Sequence, residues 1–421
     1  MTATKPFTIP KRLVYEAFKA VKANAGSAGV DKETIEDFEA DLKGNLYRIW
    51  NRMSSGSYFP PPVKAVAIPK KNGGERILGV PTVADRVAQM VVKTVLEPVL
   101  EPIFLPDSYG YRPGKSALDA LEVTRKRCWQ YDWVLEFDIK GLFDNISHEL
   151  LLRALEKHTA CEWVRLYIRR WLTAPLQLAD GTLVDRTKGT PQGGVVSPAL
   201  ANLFLHYTFD VWMTRRYPGV PWCRYADDGL IHCETEMQAY AIKVALADRL
   251  AACGLEMHPD KTHVVYCKDG SRKGHYPNTK FDFLGYTFRP RIVKNRRRNS
   301  LFVSFTPAVS ASALKTMRQT TRRLNYRNRT ELNLKDIARL HNPLLRGWVA
   351  YYGRFYPSAL YPVFKHFDKT LVAWAMRKFK RLKGHKIRAS LFLESIAKRQ
   401  PALFVHWRKG NGWTVCLTGA V

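Results

Sequence analysis

The chain has 421 residues, of which 46% are hydrophobic, and this size allows a large core divided into two or three domains. Its formal net charge of +30 is far from the balance of an ordinary enzyme and favours a phosphate-rich partner. Seven scattered cysteines without a Cys-x-x-Cys pair argue against a zinc site and a disulfide framework. Without a signal-like start or an 18-residue apolar run, the sequence predicts a soluble protein of a reducing compartment.

A glycine turn flanked by cations follows a helical N-terminal region. Pro60-Pro61-Pro62 separates residues 1–60 from a segment in which Lys70 and Arg76 flank Gly73-Gly74. Arg can hold a phosphate through two parallel hydrogen bonds, and Lys can do so as a point charge. The pair is therefore suited to bind phosphate groups, but for this segment alone solvated charges at a hairpin tip are the favoured interpretation.

A short strand carries the first candidate metal ligand. Residues 133–139 alternate with the period of a strand, so that Leu135, Phe137 and Ile139 share one face. Asp138 lies on the opposite face, away from these apolar side chains. A solvated aspartate at the end of a strand is the alternative interpretation.

A glycine-rich loop at residues 189–194 precedes a helix. Its glycines would let the backbone approach a base pair closely, and Gln192 could donate and accept hydrogen bonds at a groove edge. Ser197 is expected to cap the following helix, with Pro198 at its first position. Five apolar residues then recur at helical spacing and are assigned to the core: Leu200, Leu203, Phe204, Tyr207 and Val211.

The segment Arg224-Tyr225-Ala226-Asp227-Asp228-Gly229 lies between two short apolar runs, which predicts a β-hairpin with Asp227 and Asp228 in its turn. Adjacent carboxylates repel each other, and a bound divalent cation relieves that repulsion. If the strand of Asp138 lies beside this hairpin, the three carboxylates supply ligands for two Mg²⁺ ions about 3.5–4 Å apart. Solvated turn aspartates are the alternative, because Asp is common in turns.

Most of the positive charge lies in the last third of the chain. Residues 291–421 contain 28 Lys and Arg against 4 Asp and Glu. A solvated face is the usual meaning of such runs, but these have almost no compensating acids, which favours nucleic acid as the partner. The candidate contacts are Arg296, Arg297 and Arg298; Arg322 and Arg323; and Arg377, Lys378, Lys380 and Arg381.

An aromatic stripe lies in the same region. Trp348, Tyr351, Tyr352 and Phe355 are spaced to share one face of a helix. Aromatic residues at this period normally pack, so the stripe is interpreted as the core of a helix bundle, with a base-stacking platform as the alternative.

Several blocks, in order, resemble the reverse transcriptases encoded by group II introns. Residues 137–148 and Tyr225-Ala226-Asp227-Asp228 resemble the two catalytic blocks of the polymerase palm, and residues 189–198 resemble the loop and helix between them. Residues 68–81 and 108–114 are similar to the fingers blocks, and residues 254–262 and 283–286 to the later palm blocks. The blocks span residues 25–290, and residues 341–348 resemble the maturase thumb.

The resemblance implies roles for individual residues. Asp138, Asp227 and Asp228, with the backbone carbonyl of Ile139, would hold two Mg²⁺ ions, one activating the primer 3′-hydroxyl and one steadying the triphosphate. Phe143 would lie beneath the sugar and reject a 2′-hydroxyl, with a core phenylalanine as the alternative. Lys261 would protonate the departing pyrophosphate, with an exposed structural lysine as the alternative. The remaining implied contacts are Lys70, Arg76 and Gln192 to the nucleotide and Arg112 and Gly285 to nucleic acid.

The implied fold is an α+β right-hand polymerase, with fingers and palm followed by an all-helical thumb. The expected domains are an N-terminal extension (1–60), a reverse transcriptase domain (61–290), a helical thumb or maturase domain (291–382) and a short basic tail (383–421). Residues 290–300, polar and basic, are expected to join palm and thumb. The tail is a candidate DNA-binding module, and the absence of paired Cys or His motifs argues against an endonuclease.

The expected function is that of an RNA-directed DNA polymerase that also binds intron RNA to assist splicing and copies it during intron mobility. Its partners would be group II intron RNA, an RNA template with a DNA primer, target DNA and dNTPs, in a bacterial cytoplasm and at the nucleoid, without a membrane. An intron-free relative acting in DNA repair or phage defence is one alternative. A non-catalytic RNA-binding maturase is the other, and it predicts lost metal carboxylates, whereas all three positions carry Asp.

Overall fold

The computed structural model describes residues 5–69, 73–295 and 298–408. They form two units, of which the first contains the described residues of Met1–Ala120 and Leu135–Val264 and the second those of Leu121–Val134 and Val265–Val421. Helices and strands both contribute, which confirms the expected α+β class. Among the described helices, none has the length and apolar character needed to span a bilayer.

Three helices form the N-terminal region, as expected: α1 (Lys11–Asn24), α2 (Ile35–Ala40) and α3 (Leu42–Ser54). Thr34 caps α2, because its side chain accepts from the Asp37 amide while the Asp37 side chain accepts from the Thr34 amide. The rings of Phe18 and Phe38 stack 5.5 Å apart and join α1 to α2.

The next elements form an antiparallel hairpin and two helices: β1 (Val63–Pro69), β2 (Glu75–Val80), α4 (Val83–Leu100) and α5 (Ala117–Gln130). Pro69 pairs with Glu75 at the end of the hairpin. Gly73 and Gly74 adopt φ of +85° and +77°, a region that glycine enters without steric cost. Lys70 lies outside the described residues.

The strand that carries Asp138 follows, with three helices and two short strands: β3 (Trp133–Asp138), α6 (Leu142–Asn145), α7 (His148–His158), α8 (Glu162–Thr173), β4 (Leu176–Gln177) and β5 (Leu183–Val184). The first sheet has the order β2-β1-β4-β5, and β1 pairs with β4 in parallel. The hairpin β1–β2 is thereby continued by a second, shorter hairpin.

A helix interrupted by a π turn leads into the central sheet. Its parts are α9 (Ser197–Leu205), the π segment His206–Asp210 and α10 (Val211–Arg216). Ser197 is the first helical residue, so the expected cap is wrong by one position; its hydroxyl lies 2.8 Å from that of Thr190 instead. The π turn shifts the helical phase, so that Phe209 and Met213 are buried where the regular spacing predicted Tyr207 and Val211.

The central sheet has the order β6-β7-β3-β8. The new elements are β6 (Trp222–Tyr225), β7 (Asp228–Cys233), α11 (Glu236–Ala252) and β8 (His263–Tyr266). Strand β3 therefore lies beside the hairpin β6–β7, as the predicted convergence of carboxylates requires.

The described part of residues 290–300, the expected junction of palm and thumb, lies in a β-hairpin. This long hairpin belongs to a three-stranded sheet made of β9 (Phe281–Phe283), β10 (Tyr286–Asn295) and β11 (Ser300–Val309). Tyr286 pairs with Val309 and Asn295 with Ser300, so the pairing runs through the whole hairpin. The helical part of the second unit consequently begins after β11.

Four helices complete the second unit: α12 (Ala311–Arg323), α13 (Leu334–Tyr352), α14 (Tyr361–Lys378) and α15 (Lys386–Arg399). Their core includes Phe367 and Trp374, which are 0% and 1% exposed. Leu393 of α15 and Trp407 belong to the same core, so this part of residues 383–421 is not the separate tail that was expected. The Lys and Arg side chains of α15 are exposed, whereas Ala389, Leu393 and Ala397 are buried.

The aromatic stripe packs, as its spacing predicted. Tyr286 contacts the rings of Tyr351, Tyr352 and Phe355 at centroid distances of 5.7, 5.5 and 5.5 Å. Phe355 lies beyond the end of α13 but reaches the same cluster. These rings join the three-stranded sheet to the helices of the second unit.

Candidate active site

A two-residue turn presents the adjacent aspartates. Tyr225 pairs with Asp228, so Ala226 and Asp227 form the turn of the hairpin β6–β7. The predicted hairpin is confirmed, but Asp228 begins β7 and does not lie in the turn as predicted. Ala226 adopts φ of +56°, in the left-handed region that such turns require. The residue at position 229 is a glycine because the ring of Phe137 covers its Cα. A Cβ there would lie 2.1 Å from the phenyl ring.

Asp138 ends strand β3, next to this hairpin, and its side chain is 11% exposed. Burial raises the pKa of Asp228 to about 7, and the charges of Asp227 and Asp138 add to that shift. Burial also raises the pKa of Asp227, to which the charge of Asp138 contributes. The three carboxylates therefore act on one another electrostatically.

Lys261 supplies a positive charge at this cluster. It ends a short 3₁₀ helix, and its Nζ lies 2.5 Å from Oδ2 of Asp138. That hydrogen bond is the main reason that the pKa of Lys261 is raised. The lysine that the sequence placed near the pyrophosphate is thus an ion-pair partner of a candidate metal ligand.

The donors suit a hard dication, because three mutually repelling carboxylates offer oxygen ligands of the kind Mg²⁺ prefers. Among the described residues, however, no group of three or more His, Cys, Asp or Glu side chains is arranged to hold a metal ion. Asp138 faces Lys261 instead. The bridge between Ile139 and Met257 uses the carbonyl of Asp138 and the amide of Lys140, so the Ile139 carbonyl takes no part in those bonds.

A buried arginine supports the turn of the hairpin β6–β7. Arg224 and Asp210 are both 0% exposed and form a two-pronged ion pair, with Nε–Oδ1 and Nη2–Oδ2 distances of 2.7 Å. Nη1 of Arg224 donates to the carbonyl of Ala226 at 3.2 Å, within the turn itself. Ser108 and Asn202 accept the remaining bonds at 2.8 and 3.2 Å. The position of Asp227 is therefore tied to an internal polar network.

Three residues surround the carboxylates as candidate nucleotide contacts. Arg76 is exposed on β2, and its charge opposes the rise in the pKa of Asp227. Phe143 on α6 is half-buried, and its ring meets the exposed ring of Tyr111 edge-on at 6.4 Å. The core alternative for Phe143 is therefore not supported. Burial raises the pKa of Tyr111, and the charge of Asp227 adds to this rise.

The glycine-rich loop packs against the protein. Gln192 is half-buried, with its amide nitrogen 3.4 Å from both carboxylate oxygens of Asp144. A Cβ on Gly189 would lie 2.7 Å from the carbonyls of Phe143 and Asp144, and one on Gly193 would lie 2.5 Å from that of Gly79. The glycines thus allow close packing within the protein, whereas the sequence predicted that they allow close approach to a base pair.

Arg112 differs from its expected role in nucleic-acid binding. Its side chain is 6% exposed, and its Nε and Nη2 donate to Glu101 at 2.9 and 2.6 Å. Its Nη1 donates to the carbonyls of Leu105 and Ser108. With its donors used inside the protein, Arg112 is a structural residue that supports the segment of Ser108.

The other expected nucleic-acid contacts lie in the second unit. A Cβ on Gly285, which adopts φ of +78°, would lie 2.9 Å from the Tyr352 hydroxyl. Arg377 donates to the backbone carbonyl of Arg327. Lys378 donates to the backbone carbonyls of Thr330 and Leu332. The expected cations that are exposed are Arg298, Arg322, Arg323, Arg377, Lys380 and Arg381. Arg296 and Arg297 lie outside the described residues.

Sequence reasoning missed the partnership of Arg224 with Asp210 and the place of Tyr111. A signal existed, since Arg224 lies inside an apolar strand and Asp210 inside an apolar helix. Charged residues are rarely buried without a partner, so two such charges of opposite sign could have been paired.

Two family models match this chain. A family model for "Reverse transcriptase (RNA-dependent DNA polymerase)" matches residues 68–288, and one for "Group II intron, maturase-specific domain" matches residues 314–392. The chain is 30% identical to Protein YkfC of Escherichia coli (strain K12), over 65% of this chain and 78% of that protein.

A second relative carries the name of the family. The chain is 34% identical to the group II intron-encoded protein LtrA of Lactococcus lactis subsp. cremoris over 46% of this chain and 32% of LtrA, so it spans about a third of that relative. A structure of telomerase from Candida albicans, solved with a fragment of telomeric RNA, aligns with this chain at 14% identity and a TM-score of 0.44. The alignment covers 88% of this chain and 67% of the telomerase chain. The two matched segments cover catalytic and maturase regions in the expected order. The chain belongs to the group II intron-encoded reverse transcriptase and maturase family.

Proposed function

We propose that the protein is an active RNA-directed DNA polymerase of the group II intron type. The observation that carries this proposal is the order of the central sheet, in which β3 with Asp138 adjoins the hairpin with Asp227 and Asp228. All three positions retain carboxylates. Burial, with the added charges of Asp227 and Asp138, raises the pKa of Asp228, and repulsion among the three carboxylates favours the binding of dications.

The chemistry follows from the residues around this point. Asp138, Asp227 and Asp228, with the carbonyl of Ile139, would hold two Mg²⁺ ions. When bound, the ions would lower the pKa of the primer 3′-hydroxyl and neutralise charge on the triphosphate. Lys261, already protonated against Asp138, would be a proton source for the departing pyrophosphate once that carboxylate turns to a metal.

Other side chains would position the nucleotide. Arg76, exposed on β2, would contact the phosphates, as would Lys70. Phe143, supported by the ring of Tyr111, would form the wall beneath the sugar and exclude a 2′-hydroxyl. Gln192 would lie near the templated base pair if its long contacts to Asp144 open.

We further propose that the second unit binds RNA and assists splicing of a group II intron. The match of the maturase-specific family to residues 314–392 and the positive charge of residues 291–421 support this role. Exposed Arg322 and Arg323, in the last turn of α12, would contact phosphates of intron RNA or of a template–primer duplex. Target DNA would be a partner during intron mobility.

Primer extension on an RNA template, with Mg²⁺ and dNTPs, tests the polymerase proposal. The wild type should extend the primer and Asp227→Asn should not, while Asp248→Asn, an exposed aspartate on α11, should behave as wild type. Binding of the template–primer by each variant shows that the loss is chemical. A folded wild type that binds RNA without extending primers would instead be a non-catalytic maturase.

A further inference from the structure

A pocket of about 690 Å³ lies in the second unit. It is formed by the end of α5, the loop at residues 269–271 and the outer half of the hairpin β10–β11. Its volume falls in the range of pockets that bind small ligands. Its principal side chains are Arg125, Trp129, Val293, Lys294, Phe302 and Phe355.

The walls of this pocket are held by hydrogen bonds. Nε1 of Trp129 donates to the Phe305 carbonyl at 2.9 Å, which fixes the plane of the indole. The Gly270 amide donates to the Val303 carbonyl at 3.1 Å and ties the loop to β11. Arg272 joins Asp269 to the carbonyls of Cys128 and Tyr131. A ligand would therefore enter a pocket that exists before binding.

Aromatic surface and positive charge meet in this pocket. The Arg125 guanidinium lies over the rings of Trp129 and Phe355, at 4.5 and 5.6 Å from their centroids. Trp129 and Phe302 remain 44% and 49% exposed, so both rings offer apolar surface to a ligand. Lys294, also exposed, adds a second cation to the lining.

The positive charge is not balanced inside the pocket. Asp269, the acid among its described lining residues, is neutralised by Arg272, whose hydrogen bonds contribute to a pKa of about 2 for that carboxyl. Nε of Arg125 is buried and finds no acceptor among the described residues. Burial lowers the pKa of Arg125 more than the charge of Glu122 raises it. An anionic ligand with a flat apolar part would satisfy both features.

We propose that this pocket accepts one unpaired nucleotide of a single-stranded segment, with its base against Trp129 and Phe302 and its phosphate near Lys294. Base stacking on aromatic side chains combined with cation contacts to the backbone is how proteins hold single strands. The proposal adds a ligand site to the proposed function and rests on it for the source of the strand, which is either RNA or DNA.

The test uses the full chain and labelled duplexes that end either blunt or in a single-stranded overhang of RNA or of DNA. Phe302→Ala and Trp129→Ala should weaken binding of the overhang duplex by about 5- to 100-fold and leave binding of the blunt duplex unchanged. Leu301→Ala is the matched control, because its side chain is 70% exposed and does not line the pocket. Loss with one overhang alone identifies the strand as RNA or DNA.

Photocrosslinking gives an independent readout. Thiouridine or thiothymidine in the overhang should crosslink to a peptide that contains Trp129 or Phe302. Equal weakening for blunt and overhang duplexes, or wild-type binding by both pocket variants, would overturn the proposal. Asp227→Asn should keep full overhang binding, so failure of the polymerase proposal and failure of the pocket proposal give different results.

Discussion

Nζ of Lys261 lies 2.5 Å from Oδ2 of Asp138, so the lysine forms an ion pair with a carboxylate that a metal ion would bind. The lysine side chain is 56% exposed and the aspartate side chain 11% exposed, so the pair lies at the edge of the site. The ammonium partly balances three clustered negative charges. A dication that binds Asp138 must therefore compete with Lys261.

Lys261→Met removes this competitor. Because an ion pair with an exposed partner contributes little free energy, the Mg²⁺ concentration for half-maximal thermal stabilisation should fall modestly, by about 2- to 5-fold. Lys261→Arg keeps the charge and should behave as wild type in this titration. If Lys261 also donates the proton to pyrophosphate, kcat should fall in both variants. A Mg²⁺ midpoint that stays constant in Lys261→Met would contradict the competition.

The stability of the metal-free protein should depend on the protonation of Asp228. Its pKa is about 7, above its ordinary value of 3.8, so the folded state holds this proton more tightly than the unfolded chain does. The resulting stabilisation is complete below pH 4 and is lost as the pH rises through 7. Asp228→Asn should therefore match wild type near pH 4 and exceed it above pH 7 by on the order of 2–4 kcal/mol.

Thermal denaturation of the two proteins from pH 4 to 8 in EDTA measures this difference, and the comparison cancels the titration of shared groups. With excess Mg²⁺ the order above pH 7 should reverse, because the wild type gains binding free energy that the Asn variant loses. A pH-independent difference in EDTA would show that Asp228 is not protonated in the way its burial indicates.

The central hairpin could be predicted because its signals are local. The turn chemistry and apolar flanks of Asp227 and Asp228 lie within a dozen residues, and the period of two around Asp138 defines its strand. The salt bridge of Lys261 with Asp138 joins residues 123 apart, and no local pattern specifies such a contact. The site was therefore predictable by element but not by its electrostatic partners.

Two departures from the sequence prediction have different physical causes. The outer part of β10–β11 exposes Ile292, Leu301 and Phe302. Burial therefore does not impose on it the alternation of apolar and polar residues by which a strand is recognised in a sequence. In α15 the signal was present, because Ala389, Leu393 and Ala397 recur every four residues and are all buried. The density of Lys and Arg in that segment was interpreted as a tail, although charges can lie on the outer face of a packed helix.

The ion pair of Arg224 with Asp210 should govern the geometry of the catalytic turn. Asp210→Asn leaves a buried guanidinium without its counter-charge and should cost about 3–5 kcal/mol of stability. The double variant Arg224→Met with Asp210→Leu removes both charges and should recover much of that loss. It also removes the hydrogen bond to the Ala226 carbonyl, so kcat should fall by about 10- to 100-fold.

Single-turnover incorporation with saturating template–primer, together with its dissociation constant, separates the two effects. In the folded double variant we expect the rate of single-turnover incorporation to fall, while the dissociation constant of the template–primer stays unchanged. Wild-type turnover by that variant would mean that Arg224 and Asp210 serve stability alone.

Phe143 should determine which sugar enters the site. Removal of its ring by Phe143→Ala opens the wall that meets Tyr111, and discrimination against ribonucleotides should fall by about 10- to 200-fold. The measurement is the ratio of kcat/KM for dNTP and rNTP of the same base. Phe143→Tyr preserves the ring and should keep the preference, whereas unchanged selectivity in Phe143→Ala would place the barrier elsewhere.

We expect Asp138, Asp227 and Asp228 to form one metal-dependent polymerase centre. The most direct test is primer extension on an RNA template by the wild type and by three single Asp→Asn variants, with template–primer binding measured for each. We expect Mg²⁺-dependent extension by the wild type and background extension by each of the three variants, with binding retained. Extension at the wild-type rate by any one of the variants, or no extension by a folded wild type that binds the template–primer, would contradict this expectation.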